Sequence, residues 1–244
     1  IEGEWCSDYV VSSYTPTLGA LITARSAHIS PKKQDIQALV AAVPSPYRPE
    51  WRDLVCTREE LGTIRSVIPE RALMAIPPAD DALASEKGGM SAQTLLEKLP
   101  QATILHLACH GHQNREDALK SGFVMRDEMV TIEKLMPISL PHAFMAFLSA
   151  CETAKGDKNQ PDQTVHLAAT LLFAGFKSVI ATLWSMEDAD GPFIARSVYE
   201  DLFGGSSEYL NADDIPYALD RAVQKLRESH PNPSRWAPYI HIGI

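Results

Sequence analysis

Two short runs of the chain end in side chains capable of nucleophilic chemistry. Gln101 to Gln113 reads QATILHLACHGHQ, and Pro141 to Asp157 reads PHAFMAFLSACETAKGD. Both are apolar without polar alternation, the pattern of a strand buried on both faces of a parallel sheet. The first stops at His110, followed by Gly111, and the second at Cys151, followed by Glu152 and Thr153. Ligands of open α/β sheets sit at the carboxyl ends of the strands. If the two runs are neighbouring parallel strands, about 4.8 Å apart, an imidazole and a thiol emerge side by side on one edge. That is the arrangement of a Cys-His dyad. Peptide hydrolysis needs a nucleophile, a proton donor for the departing amine and hydrogen-bond donors for the oxyanion. A free thiol has a pKa of about 8.5, and an adjacent imidazole lowers it by pairing with the thiolate. Cys151 is therefore the candidate nucleophile and His110 the candidate base and acid. The backbone N–H groups of Gly111 and Cys151 are the candidate oxyanion donors. Each has a plainer reading: a free cysteine is often a small core residue, and a histidine at a strand end is often satisfied by backbone. No third member of the dyad can be assigned.

His106, Cys109, His110 and His112 also have the look of metal-ligand spacing. On a strand, His106, Ala108 and His110 share one face while Cys109 points to the other, so they do not close a tetrahedron. His106 and Cys109 read as packing residues, and no metal or other cofactor is expected.

The elements that must carry these residues follow from the rest of the chain. Its 244 residues, 45% hydrophobic, can bury a core as one large domain or two small ones. A start at Ile1 suggests a fragment of a longer protein. The net charge of -9, from 22 basic and 31 acidic residues, argues against nucleic acid as a partner. Four scattered cysteines and no visible signal peptide suggest a reducing, cytoplasmic location. Gly175 and Lys177 split the longest apolar stretch, His166 to Trp184, into a helix and a strand rather than a membrane span.

Taken in order, Tyr9 to Ser12 suits a strand, and Lys33 to Val43 a short helix within a proline-rich connection. Thr57 to Ile68 reads as an amphipathic helix, with Thr57 and Glu60 at capping-box spacing. The segment RALMAIP suits a short strand, and Asp80 to Gly89 an exposed loop. Ser91 caps a helix from Ala92 to Leu99. Beyond His110 comes a polar loop, then a hairpin turning at Asp127 and Glu128 and a short helix to Met136. Helices are expected over Gln163–Ala174, Gly191–Phe203 and Asp213–Ser229, and strands over Ser178–Trp184 and Tyr239–Ile242. The alternation implies a mainly parallel sheet of about six strands with helices on both faces, a three-layer α/β sandwich.

The blocks ILHLACHGH and AFLSACETAKGD resemble the two signature blocks of the CHAT domain, a caspase-like cysteine peptidase module of the same clan as caspases and separase. SSYTPTLGAL, HLAATLLFAGFKSVIATLW and WAPYIHIGI are similar as well, so the resemblance covers nearly the whole chain as a single domain and is closest to the fungal form. It implies a caspase-like sandwich, a protein or peptide substrate, and upstream regulatory or repeat domains controlling access. Separase has a similar stretch after the third strand, a tryptophan followed four residues on by an aspartate that contacts the basic residue before the scissile bond. Carried over, these are Trp184 and Asp188, with Glu152 beside the nucleophile as a further substrate contact. The plainer reading of Asp188 and Asp190 is an acidic turn ahead of a helix, which the helix dipole favours. Caspases carry Gln-Ala-Cys followed by Arg or Gly, whereas this chain has Ser149, Ala150, Cys151, Glu152, so cleavage after Asp is not implied. The polar segment Lys155 to Thr164 lies where caspases are cut between subunits; it is either a self-cleavage site or an ordinary surface loop. The competing function is a catalytically silent signalling or assembly module.

Overall fold

The computed structural model describes residues 6–26, 29–80, 88–114, 116–149 and 163–244. In chain order the strands are β1 (Ala38–Ala42), β2 (Ile104–Ala108), β3 (His110–His112), β4 (Gly122–Val124), β5 (Met129–Thr131), β6 (Met145–Leu148), β7 (Ser178–Thr182) and β8 (Tyr239–Gly243). The helices are α1 (Leu18–Ser26), α2 (Thr57–Val67), α3 (Ala92–Lys98), α4 (Ile132–Leu135), α5 (Gln163–Ala174), α6 (Gly191–Gly204), α7 (Asp214–Ser229) and α8 (Pro233–Trp236).

The central sheet has five strands in the order β1-β2-β6-β7-β8, one fewer than expected. Its first four strands run parallel, and β8 closes the edge antiparallel to β7. All residues of β1, β2, β6 and β7 are buried. Successive side chains enter opposite cores, as the period of two requires. Val40, Phe147 and Ile180 join the layer formed by α2, α6 and α7, while Leu39, Leu105, Ala146 and Val179 join the layer formed by α3 and α5. The result is the three-layer α/β sandwich. A second, antiparallel sheet, β3-β4-β5, contributes Phe123 and Val130 to the α3/α5 core.

The hairpin at Asp127, the helices α5 and α6, and the Ser91 cap, which accepts from the Thr94 N–H at 3.2 Å, stand close to expectation. Four segments do not. Lys33 to Val43 is a 3-10 turn, Lys33–Asp35, followed by β1, because pairing with β2 outweighs the helix propensity of its alanines. Tyr9 to Ser12 forms no strand; only Tyr14 bridges β8, through Tyr14 N–H to the His241 carbonyl and Gly243 N–H to the Tyr14 carbonyl, each 2.9 Å. RALMAIP shrinks to a 3-10 turn, Glu70–Ala72, and one bridge between Leu73 and Ala38. The polar segment after His110 begins as strand rather than loop, since His110 to His112 pair with β4. The expected exposed loop from Asp80 to Gly89 has its middle, 81–87, outside the described residues. Its flanks are buried, and Asp80 pairs with Arg126 Nη2 at 2.6 Å. Among the described residues no helix is long and apolar enough to cross a membrane.

Candidate active site

β2 and β6 are adjacent and parallel, with Ile104 opposite Met145 and Leu107 opposite Leu148. The carboxyl ends of both strands therefore open on the same edge of the sheet. β2 ends at Ala108, whose carbonyl accepts from the Val43 N–H at 2.9 Å, and the chain turns away to pair His110 with Val124 of β4. Because the strand breaks there, His106 and His110 do not share a face of one strand as expected. His106 is stacked on Phe147 at 4.7 Å between ring centres, while His110 lies under Trp51 at 5.1 Å.

The environment of His110 fixes its chemistry. The ring is 1% exposed, and Nε2 lies 2.7 Å from the carbonyl oxygen of Arg52. A carbonyl only accepts, so Nε2 carries the proton and a neutral ring presents its lone pair at Nδ1. Nδ1 is buried and has no hydrogen-bond partner among the described residues. An orphaned ring nitrogen in a buried position is costly unless another group reaches it. Trp51 also meets His112 edge-on at 5.8 Å, and burial lowers the His112 pKa. Gly111 lies within β3, opposite Phe123.

At the end of β6, Ser149 is buried and its hydroxyl donates to Glu60 Oε2 at 3.0 Å. Glu60 does not cap α2. The N-cap is Cys56, without a side-chain bond, and the Thr57 hydroxyl donates instead to the Leu54 carbonyl at 2.7 Å. Glu60 points into the core, where Oε1 meets His106 Nε2 at 3.1 Å and His106 Nδ1 meets the Tyr199 hydroxyl at 3.1 Å. The capping-box spacing is real, but the inner face of α2 takes the carboxylate. Cys151 and Glu152, and the segment 155–162 considered for self-cleavage, lie outside the described residues. Among the described residues no group of His, Cys, Asp or Glu could hold a metal ion.

Asp188 opens the 3-10 turn Asp188–Asp190 ahead of α6, yet its Oδ2 accepts from the backbone N–H of Cys56, at 3.0 Å, at the start of α2. With Arg52, Leu54, Ser149 and Met186 it lines a crevice of about 10 Å³, room for one water molecule. Burial, reinforced by the Asp188 carboxylate, pushes the Cys56 thiol up to about 11. Asp190 is turned away from the crevice and is held at both oxygens by Arg235, at 2.6 and 2.5 Å. Trp184 is 38% exposed and its indole N–H donates to the Ser234 carbonyl at 3.2 Å.

Two participants were not singled out from sequence, and a third, Glu60, was read only as a helix cap. Trp51 and the Arg52 carbonyl sit in a proline-rich connection without periodicity. Glu60 did leave a signal, a carboxylate next to Leu61 and one turn before Ile64 on the apolar stripe of its helix.

A mostly parallel sheet between two helical layers, with a buried histidine just beyond the carboxyl end of one central strand, is the layer arrangement of a caspase-like α/β sandwich. The sequence matches the CHAT domain family over residues 3–244, and the chain belongs to that family, which is related to the caspase-like peptidases. Comparison with curated proteins returns no match.

Proposed function

We propose that this CHAT domain is a cysteine endopeptidase that cleaves a protein or peptide substrate after a basic residue. Cys151 is the nucleophile, His110 the base and acid, and the N–H groups of Gly111 and Cys151 the oxyanion donors. The observation that carries this reading is the β2–β6 register. β2 and β6 run parallel side by side, so the segments that follow them in the sequence, with His110 after one and Cys151 after the other, begin at the same edge of the sheet. The Arg52 carbonyl adds a second support, because it orients the imidazole and leaves Nδ1 to take the thiol proton.

In the reaction, the Cys151 sulfur bonds to the scissile carbonyl carbon while its proton passes to His110. The imidazolium returns that proton to the leaving amine as the C–N bond breaks. Water then attacks the thioester with His110 as base, releasing the carboxylate product and restoring the thiol. Asp188, with one oxygen on the Cys56 N–H, offers the other to an arginine or lysine side chain. The crevice beside it is too small for a guanidinium, so Leu54 and Met186 shift as substrate enters. Glu152 and Trp184 complete the substrate contacts.

The test is a library of fluorogenic peptides presented to wild type, Cys151→Ala and Asp188→Ala. Wild type should prefer Arg or Lys before the cleaved bond, Cys151→Ala should be inert, and Asp188→Ala should lose the preference. Equal cleavage by Cys151→Ala would remove the peptidase reading. Equal cleavage of Asp-containing peptides by wild type would remove the basic pocket.

A further inference from the structure

Behind the crevice the core is loosely filled. Met186, one wall of the crevice, meets the Tyr239 hydroxyl with its sulfur at 3.7 Å. Tyr239 in turn lines a cavity of about 160 Å³, together with Trp236, with Leu219 and Val223 of α7, and with Val10 and Val11 of the N-terminal segment that bridges β8 at Tyr14. Close-packed interiors rarely leave so much space, and a cavity of about 150 Å³ takes up a benzene molecule. Two other routes are closed to Met186. Its segment is pinned to the stretch from Ser234 to Pro238 by the Leu183 N–H on the Pro238 carbonyl at 2.9 Å, the Trp184 indole N–H on the Ser234 carbonyl at 3.2 Å, and the Arg235 guanidinium on Asp190. On the side of α6, a Cβ at Gly191 would stand 3.1 Å from Met186 Cε, so the helix leaves no room there for even a methyl group.

We infer that Tyr239 is a positioning residue of the basic pocket: an arginine or lysine side chain entering beside Asp188 presses the Met186 thioether against Tyr239, whose ring gives way into the cavity beneath the N-terminal segment. The inference rests on the basic pocket proposed above. The crevice itself holds about one water molecule, so a guanidinium and the carbon chain behind it must take their space from its walls. A packed interior absorbs such a displacement only where there is room beyond the wall. Methionine suits the moving wall, because it is unbranched and has three rotatable bonds. The cavity then sets how long a side chain the pocket admits, although none of its α7 residues touches the crevice. Filling it acts on affinity for a long basic residue, while a short side chain, which leaves Met186 where it is, binds as before.

The experiment uses Cys151→Ala protein as the parent, so that bound peptide is not turned over, and titrates it by calorimetry with two product-like peptides, acetyl-Ala-Ala-Arg and acetyl-Ala-Ala-Ala. Val223→Phe adds a ring to the cavity from α7, and Val11→Phe adds one from the N-terminal segment; thermal unfolding shows that each variant is folded, and either one alone suffices for the test. Each should bind the Arg peptide about tenfold more weakly than the parent, because forcing a side chain into an interior already filled carries a cost of that order, with the Ala peptide within about twofold. Adding Tyr239→Leu to Val223→Phe shortens the wall behind Met186 and should bring Arg-peptide affinity back to within about threefold of the parent. A merely structural effect of the added ring would not be reversed by a second core substitution. Unchanged Arg-peptide affinity in the filled variants, or a double variant that binds no more tightly than Val223→Phe, overturns the inference and leaves the basic pocket standing. A parent that binds both peptides equally removes the basic pocket, and the inference with it.

Discussion

Removing Arg235 tests how the start of α6, and with it the Asp188 turn, is held. Its guanidinium makes two bonds to Asp190, Nε to Oδ2 at 2.6 Å and Nη2 to Oδ1 at 2.5 Å, and the Asp190 side chain is 4% exposed. Breaking a buried pair by removing one partner typically costs about 3–5 kcal/mol, because a charge is left without compensation. The Arg235 side chain is 28% exposed, so water can enter where it stood. That argues for a smaller loss, about 2–3 kcal/mol. In a domain of this size such a loss corresponds to about 5–10 °C in melting temperature. Thermal and urea unfolding of Arg235→Ala should show it. The double variant Asp190→Ala/Arg235→Ala should be no less stable than Arg235→Ala, since the orphaned carboxylate is gone with its partner. A shift below about 2 °C in the single variant, or a double variant whose loss equals the sum of both single losses, would refute the account of Asp190 as a buried charge that depends on Arg235.

Two further outcomes concern the rings of His241 and Trp51. His241 on β8 contacts the Ser13 hydroxyl at 2.7 Å through Nδ1, its Nε2 has no partner among the described residues, and burial lowers its pKa to about 4. The unfolded chain binds the proton more readily, so this group's contribution is full above pH 6.5, declines as pH falls and is gone below about 4. It amounts to about 3 kcal/mol at most, and urea unfolding as a function of pH should show a shallower slope for His241→Gln than for wild type; parallel slopes would contradict it. Trp51, packed on His110 and His112, should matter to turnover more than to binding. Trp51→Ala should lower kcat on an Arg peptide about tenfold, with Trp51→Phe recovering most of the loss, whereas equal kcat in all three proteins would separate the ring from the dyad.

What the sequence revealed depended on how local each signal was. Apolar runs without alternation identified β2 and β6 as strands, but runs buried on both faces carry no alternation that would fix which residues pair, and the Ile104–Met145 register emerges only in the folded sheet. The helices α5 and α6 announced themselves through apolar content and a glycine or proline at their ends. β1 did not, because QALVAA is as good a helix as a strand until a neighbour offers hydrogen bonds, and β2 is 66 residues further on, as Ala38 paired with Ile104 shows. His110 was recognisable as a reactive group at a strand end, but not as the first residue of a second sheet. The partner that draws it there, Val124, follows a loop of polar residues with no periodicity of its own.

Glu60 marks the boundary most sharply. Thr57 and Glu60 carry the spacing of a capping box, a signal that concerns only four residues and the backbone N–H groups between them. The competing pull comes from groups 46 and 89 residues away, the His106 ring and the Ser149 hydroxyl, each buried with a hydrogen to donate. An exposed helix start can find water for its N–H groups, whereas a buried serine and histidine cannot. The carboxylate therefore goes where its absence would leave two buried donors unsatisfied, and the helix N-terminus is served instead by Asp188 from the far side of the crevice. This exchange joins α2 to the end of β6 through the Ser149–Glu60 bond and to the Asp188 turn through the Cys56 N–H.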